Sequence, residues 1–234
     1  MNNYNSPVAI HAVLFDLDGT LIDTAPDLTL ALNQLLASKN KPPVSFEEAR
    51  NHVSQGAIAV TRLGFPEVTD KIKFEQLRQE FLRYYAENIC IKSALFTGMA
   101  ELLSKIEASG ACWGIVTNKP GWLTVPLLDA LSLSQRAACV ISGDTLEKRK
   151  PHPDPLLYAC EIINLSADNS IYIGDDPRDI YAGNAAGMYT CVAKFGYIDS
   201  MHDTDTWGAD FSIDHPDELE QHIKLSNPIS DFKP

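Results

Sequence analysis

Ala12-Val13-Leu14-Phe15-Asp16-Leu17-Asp18-Gly19-Thr20-Leu21-Ile22-Asp23 is the stretch on which the fold turns. Ala12 to Phe15 is a short apolar run and predicts a buried strand. Two aspartates follow it at once, Asp16 and Asp18. Residues two apart on an extended chain project to the same side, so both carboxylates can face one small volume. In an open α/β sheet, ligands bind beyond the carboxyl ends of the strands. Paired carboxylates repel unless a cation offsets them, and Mg²⁺ prefers oxygen ligands. Gly19 lets backbone approach a ligand closely. A plain strand followed by an Asp-Gly turn is the competing reading.

Downstream, Leu28, Leu32, Leu35 and Leu36 recur at helical spacing, with Pro26 suited to a first turn and Thr24 or Asp27 as cap. The run Ser38 to Pro43 breaks that helix. Ser45 and Glu48 have capping-box spacing. A polar loop, Val53-Ser54-Gln55-Gly56, comes next, and Lys71 to Ile91 predicts a long helix with Phe74, Leu77, Phe81, Leu82 and Tyr85 on one face. Residues 24–93 are therefore expected to be an all-helical insertion, with 1–23 and 94–234 forming the core.

Beyond the insertion, apolar runs alternate with helical patterns. Strands are expected at Cys112–Val116, Cys139–Ser142, Ser170–Ile173 and Tyr189–Ala193. Helices are expected near 99–108, 124–131, 156–163 and 179–186. This alternation predicts a doubly wound, mainly parallel α/β sheet. The tail, Ser200 to Pro234, has Trp207, Phe211 and Ile213 as anchors; it should pack on the sheet edge and fray after about Leu225.

The formal net charge of −12 argues against nucleic acid as a partner, because phosphate-backbone binding needs clustered Lys and Arg. No segment has the length and apolarity of a membrane span. Cys90, Cys112, Cys139, Cys160 and Cys191 are scattered, without a C-x-x-C pair, and Met1 to Ala9 lacks a signal-peptide pattern. A cytoplasmic protein with reduced thiols is expected.

Strand ends carry polar groups: Asp16 and Asp18, then Thr117 and Asn118, then Asp175, Asp176 and Asp179, with a basic residue at or beside Lys150, whose neighbours Lys148 and Arg149 are alternatives, before the stiff run Pro151-His152-Pro153. The Thr117 hydroxyl and the next backbone N–H could both donate to a phosphate oxygen. Parallel strands bring these ends to one edge of the sheet.

Asp16-Leu17-Asp18-Gly19-Thr20-Leu21 resembles the first motif of the haloacid dehalogenase-like phosphatases. The later groups resemble that family's remaining motifs, in order: Thr117, Lys150 in Lys-Pro-x-Pro, and Gly-Asp-x-x-x-Asp at residues 174–179. The resemblance implies a Rossmann-like core with a helical cap. It makes Asp16 the nucleophile and Asp18 the general acid/base, with Thr117 and Lys150 completing the catalytic set. It places Mg²⁺ at Asp16, Asp18 and Asp175, with Asp179 behind them orienting a water or Lys150, and Asp176 as a neighbour. Gly19, Thr117, Asn118 and Lys150 become phosphate contacts, and Ser54, Gln55, Gly56 and Arg62 candidate cap contacts to the leaving group.

Within the family, Thr117-Asn118-Lys119-Pro120 looks like the phosphoglycolate phosphatases. Trp113 to Pro120, Ile173 to Asp176 and Trp207-Gly208-Ala209-Asp210 look more like the N-acetylmuramic acid 6-phosphate phosphatases. Ser54-Gln55-Gly56 departs from a more glycine-rich loop expected there. The implied partner is a small phosphorylated metabolite, on a monomer or homodimer. A phosphomutase would share the core motifs but need a second phosphate clamp in the cap. A dehalogenase would lack Asp18. A non-catalytic phosphometabolite-binding protein would be expected to have lost Asp16, Lys150 or Asp175.

Overall fold

The computed structural model describes residues 8–199 and 203–228. The expectations for Met1 to Pro7, for Ser200 to His202 and for the last residues of the tail lie outside that range.

The chain opens with β1 (Val8–Ile10) and β2 (Ala12–Phe15). Every residue of β2 is buried. After the Asp16–Gly19 turn comes β3 (Ile22–Asp23), then four helices: α1 (Ala25–Ser38), α2 (Phe46–Val53), α3 (Ala57–Gly64) and α4 (Lys71–Glu87). The chain returns through β4 (Ala94–Leu95), which pairs antiparallel with β3 through Ile22↔Leu95 and Asp23↔Ala94. The helical insertion is thus tied off by a short ribbon that sequence periodicity is too local to show.

Inside the cap, the leucine spacing of α1 works as expected, and Leu28, Leu32, Leu35 and Leu36 are buried against Leu77, Phe81 and Tyr85 of α4. Ser45 and Glu48 form the capping box of α2. Thr24 occupies the N-cap of α1 but makes no side-chain cap. Asp27 is instead buried and accepts from Lys92 N, Ser93 N and Ser93 Oγ, binding α1 to the returning strand. Helix α4 stops at Glu87, short of the expected Ile91, and Cys90 takes a positive φ of 61°.

The core then runs α5 (Met99–Ala108), β5 (Cys112–Val116), α6 (Gly121–Ala130), β6 (Val140–Ile141), α7 (Asp154–Ile163), β7 (Ser170–Gly174), α8 (Pro177–Ala186), β8 (Tyr189–Ala193), β9 (Phe211–Ile213), α9 (Leu219–His222) and β10 (Ile223–Leu225). Six strands form one sheet in the order β6-β5-β2-β7-β8-β9, every pair parallel. Strand side chains alternate between two buried faces. Val13, Phe15, Trp113, Ile115, Ile171 and Ile173 pack with α5 and α6, while Leu14, Val116 and Tyr172 pack with α7 and α8. The tail's β9 closes one sheet edge, with Trp207 and Ile213 buried as anchors. Strands β1 and β10 pair in parallel as a separate ribbon, a feature absent from the sequence expectation.

Register sets the site. Phe15 lies opposite Ile115 on one side and Ile173 on the other. Asp16, Thr117 and Asp175 therefore leave three adjacent strands within one residue of the same level.

Candidate active site

Lys150 is the hub of the buried polar groups at that edge. Its Nζ lies 2.8 Å from Asp16 Oδ1 and donates to Asp179 Oδ1 at 2.7 Å and to the Tyr172 hydroxyl at 2.7 Å. Tyr172 in turn donates to Val116 O at 2.6 Å. Burial alone would lower the Lys150 pKa, but Asp16 and Asp179 outweigh it and hold the ammonium above its usual range. Burial pushes Asp179 up, Lys150 pulls it down, and Asp16 and Asp175 push it up again.

Asp175 is buried and accepts from Ser54 Oγ at 2.6 Å, Tyr197 N at 2.9 Å and Thr20 Oγ1 at 3.1 Å. Burial first, and the Asp16 charge second, push its pKa up to about 7 despite these donors. Gly19 adopts φ +88°, and a Cβ there would stand 2.2 Å from Asp175 Oδ2, so glycine is required by both conformation and space.

The carboxylates that converge are Asp16, Asp175 and Asp179, with one oxygen from each lying within 4.8 Å of the others. Asp16 Oδ1 is buried and makes no hydrogen bond of good geometry, only the ion pair to Lys150. An under-satisfied Asp16 oxygen facing two further buried carboxylates fits a hard divalent cation. The Asp18 carboxylate does not join them, contrary to its place in the expected metal set. Its Oδ1 accepts from Thr24 Oγ1 at 2.6 Å and from Lys119 Nζ at 2.8 Å.

Thr117 is buried, and its Oγ1 accepts from Lys119 N at 3.2 Å, which leaves the hydroxyl proton to donate. Among the described residues nothing takes the Asn118 N–H, the second donor expected there. The Asn118 side chain departs from its expected role as a substrate contact. Its Nδ2 donates to Lys150 O at 3.0 Å and its Oδ1 accepts from Lys150 N at 3.1 Å, fixing the lysine's backbone. Asp176 caps α8 and pairs with Arg178 at 2.7 Å. His152 stays an exposed turn residue beside Asp154.

Of the cap candidates, Ser54, Gln55 and Gly56 line the cleft between cap and core, a cavity of about 410 Å³ that also reaches Asp16, Asp18, Thr117 and Lys150. Arg178 donates to Ser54 O and holds that loop to the core. Arg62 departs from its expected place as a cap contact to the leaving group: it donates to Val68 O, its guanidinium stacks 3.7 Å from the Phe74 ring, and it does not line the cleft. Its charge is spent inside the cap.

Lys119 and Tyr85 are site residues that the sequence left unassigned. Lys119 Nζ donates to Tyr85 OH at 3.0 Å as well as to Asp18, joining core and cap. Burial opposes its charge, but Asp18 and Tyr85 raise its pKa, while burial lifts Tyr85 to about 12. The available signal was spacing: Lys119 stands two residues past Thr117.

Comparison with known proteins gives the family of the chain. A family model described as haloacid dehalogenase-like hydrolase matches residues 13–193. An N-acetylmuramic acid 6-phosphate phosphatase of Pseudomonas putida is 42% identical over 92% of this chain and 96% of its own. A phosphoglycolate phosphatase of Xanthomonas campestris is also 42% identical, over 93% and 98%. The crystal structure of a predicted phosphoglycolate phosphatase from Haemophilus somnus superimposes with a TM-score of 0.81 at 27% identity, covering 91% of this chain and 97% of that one. Matched along most of its length in motif, sequence and fold, the chain belongs to the haloacid dehalogenase-like hydrolases.

Proposed function

We propose that this phosphatase is Mg²⁺-dependent, works through a phosphoaspartate on Asp16, and acts on N-acetylmuramic acid 6-phosphate or 2-phosphoglycolate, the substrates named for its relatives. The observation that carries the reading is Lys150 bridging Asp16 and Asp179 beside Asp175 at the mouth of the cleft.

Asp16 and Asp175 would hold the cation, with Asp179 behind them keeping Lys150 in place. When bound, Mg²⁺ supplies positive charge that lets an anionic nucleophile approach a phosphate dianion. Lys150 adds a fixed cation at the same point, and the Thr117 hydroxyl and Asn118 N–H donate to the phosphoryl oxygens. Asp16 Oδ attacks phosphorus, and the bond to the leaving oxygen breaks. Asp18 gives its proton to that oxygen, releasing the alcohol. Asp18 then takes a proton from water, whose oxygen attacks the phosphoaspartate and frees inorganic phosphate and Asp16. The cap loop at Ser54–Gly56 screens the site from bulk water during the first step. The separation of Asp18 from the acidic cluster supports its assignment to proton transfer. Five unpaired cysteines support a cytoplasmic setting.

A phosphomutase needs a second phosphate clamp in the cap; Arg62 is engaged within the cap itself, and Arg78, the cap arginine that lines the cleft, has most of its guanidinium held by Glu75. The test is phosphate release from both substrates with Mg²⁺, with EDTA, and with Asp16→Asn. Turnover by the wild type alone, and only with the cation, is expected. Full activity of Asp16→Asn would sink the covalent route, and an undiminished rate in EDTA would remove the metal.

A further inference from the structure

The cleft is larger than phosphoryl transfer requires. Its 410 Å³ falls within the range of about 300–1,000 Å³ typical of sites for drug-sized ligands. A two-carbon leaving group such as glycolate would leave most of it to water. The outer walls are also chemically distinct from the floor. Trp122, in the first turn of α6, is 51% exposed, and Ile58 of the cap is 63% exposed; both line this same cavity. An exposed indole on a ligand cleft offers a flat apolar face with an N–H at its edge.

The cations separate in the same way. Lys119 is paired with Asp18, Lys150 with Asp16 and Asp179, and Arg178 with Asp176. Arg78 and Arg149 line the cleft too, one from α4 of the cap and one from the core loop before Lys150. Glu75 takes Arg78 Nε at 2.8 Å and its Nη2 at 2.6 Å, which fixes the guanidinium and leaves Nη1 to donate outward. Among the described residues Arg149 has no ion-pair partner. Asp144 is held by Gly121 N at 2.8 Å and offers its remaining lone pairs to the same space. An aromatic face, a fixed carboxylate acceptor, the remaining Nη1 of an Arg78 anchored by Glu75, and the Arg149 guanidinium suit a polyhydroxylated ring bearing its own carboxylate.

We propose that the outer cleft is a leaving-group subsite for a sugar ring carrying a carboxylate: Trp122 is the platform for the ring, Asp144 accepts from its hydroxyls, and Arg78 and Arg149 read the carboxylate. This rests on the phosphomonoesterase reading above and chooses, between its two substrates, the sugar acid phosphate.

The experiment measures kcat/KM with Mg²⁺ for N-acetylmuramic acid 6-phosphate, for N-acetylglucosamine 6-phosphate, which lacks the carboxylate, and for 2-phosphoglycolate. Wild type, Trp122→Ala, Arg78→Met and Arg149→Met are compared, with melting curves to confirm folding. The wild type should prefer the muramic acid ester to both others. Each arginine variant should lower the muramic-to-glucosamine ratio by about tenfold or more, the scale of one charge-assisted hydrogen bond. Trp122→Ala should lower the preference for both sugar phosphates over 2-phosphoglycolate by about tenfold. Folded variants with unchanged ratios, or a wild type that favours 2-phosphoglycolate, would overturn the subsite while leaving the phosphatase standing. A wild type that releases phosphate from none of the three would overturn the phosphomonoesterase reading itself, and the subsite with it.

Discussion

The Lys119 ammonium donates to Asp18 Oδ1 at 2.8 Å, and the same ammonium donates to the hydroxyl of Tyr85 at 3.0 Å. A core lysine thus holds the proposed proton carrier on one side and a cap tyrosine on the other. Replacing Lys119 with Met removes the charged partner of Asp18 and leaves Thr24 Oγ1 to hold it. Hydrolysis of an alkyl phosphate, which needs its leaving oxygen protonated, should fall about 100-fold, within the range of general acid catalysis. An aryl phosphate with an acidic leaving group should lose much less. Equal losses on both would show that Lys119 serves folding and not Asp18.

In the proposed site, Asp175 would link cation binding to pH. Burial and then the Asp16 charge push its carboxyl up to about 7, against an ordinary 3.8. The folded state therefore holds a proton that the unfolded chain has lost across that window. That contribution to stability is present below about pH 4 and disappears as pH rises through about 7, with a slope of at most about 1.4 kcal/mol per pH unit. Mg²⁺ competes with this proton, so the gain in Tm on adding Mg²⁺ should grow from pH 5 to pH 8. Asp175→Asn should flatten both trends. Melting curves with and without the cation check it; a pH-independent Mg²⁺ gain would contradict it.

Asn118 clamps the backbone of Lys150 with two hydrogen bonds, at 3.0 and 3.1 Å. Asn118→Ala removes both while leaving the ammonium and its carboxylate partners in place. Stability should fall by about 1–3 kcal/mol. Because a small displacement of a positioned group costs heavily in rate, kcat should fall about 10–100-fold. Steady-state kinetics beside denaturant titration separates the two effects.

Gly19→Ala puts a methyl 2.2 Å from Asp175 Oδ2 and forces a positive φ on an L residue. Backbone strain of about 1–3 kcal/mol is the expected minimum cost. Displacement of the Asp175 carboxylate should also weaken cation binding, measured as a rise in the Mg²⁺ concentration that gives half-maximal activity.

Much of this was legible in the sequence because the signals are local. The run Ala12 to Phe15 with two aspartates two apart states a strand end and its chemistry within a few residues. The lysine ahead of Pro151-His152-Pro153 and the Gly174-Asp175 run do the same. What the sequence concealed depends on orientation. Asp18 shares parity with Asp16, yet its side chain rotates to Thr24 and Lys119 instead of to the acidic cluster. Arg62 has the charge to bind an anion, but an aromatic ring and two carbonyls nearby in its own cap satisfy it first. Strands as short as β3 and β4 carry no periodicity, so their pairing exists only in three dimensions.

That pairing brings the two ends of the helical insertion together. Its two ends, Asp23 and Ala94, sit side by side as ribbon partners. A segment of any length whose ends meet at that spacing could replace residues 24–93 without altering the order of the six-stranded sheet. Such a replacement would have to supply again the hydroxyls that Ser54 lends to Asp175 and Tyr85 to Lys119, so the insertion is separable in topology but not in the chemistry of the sheet edge.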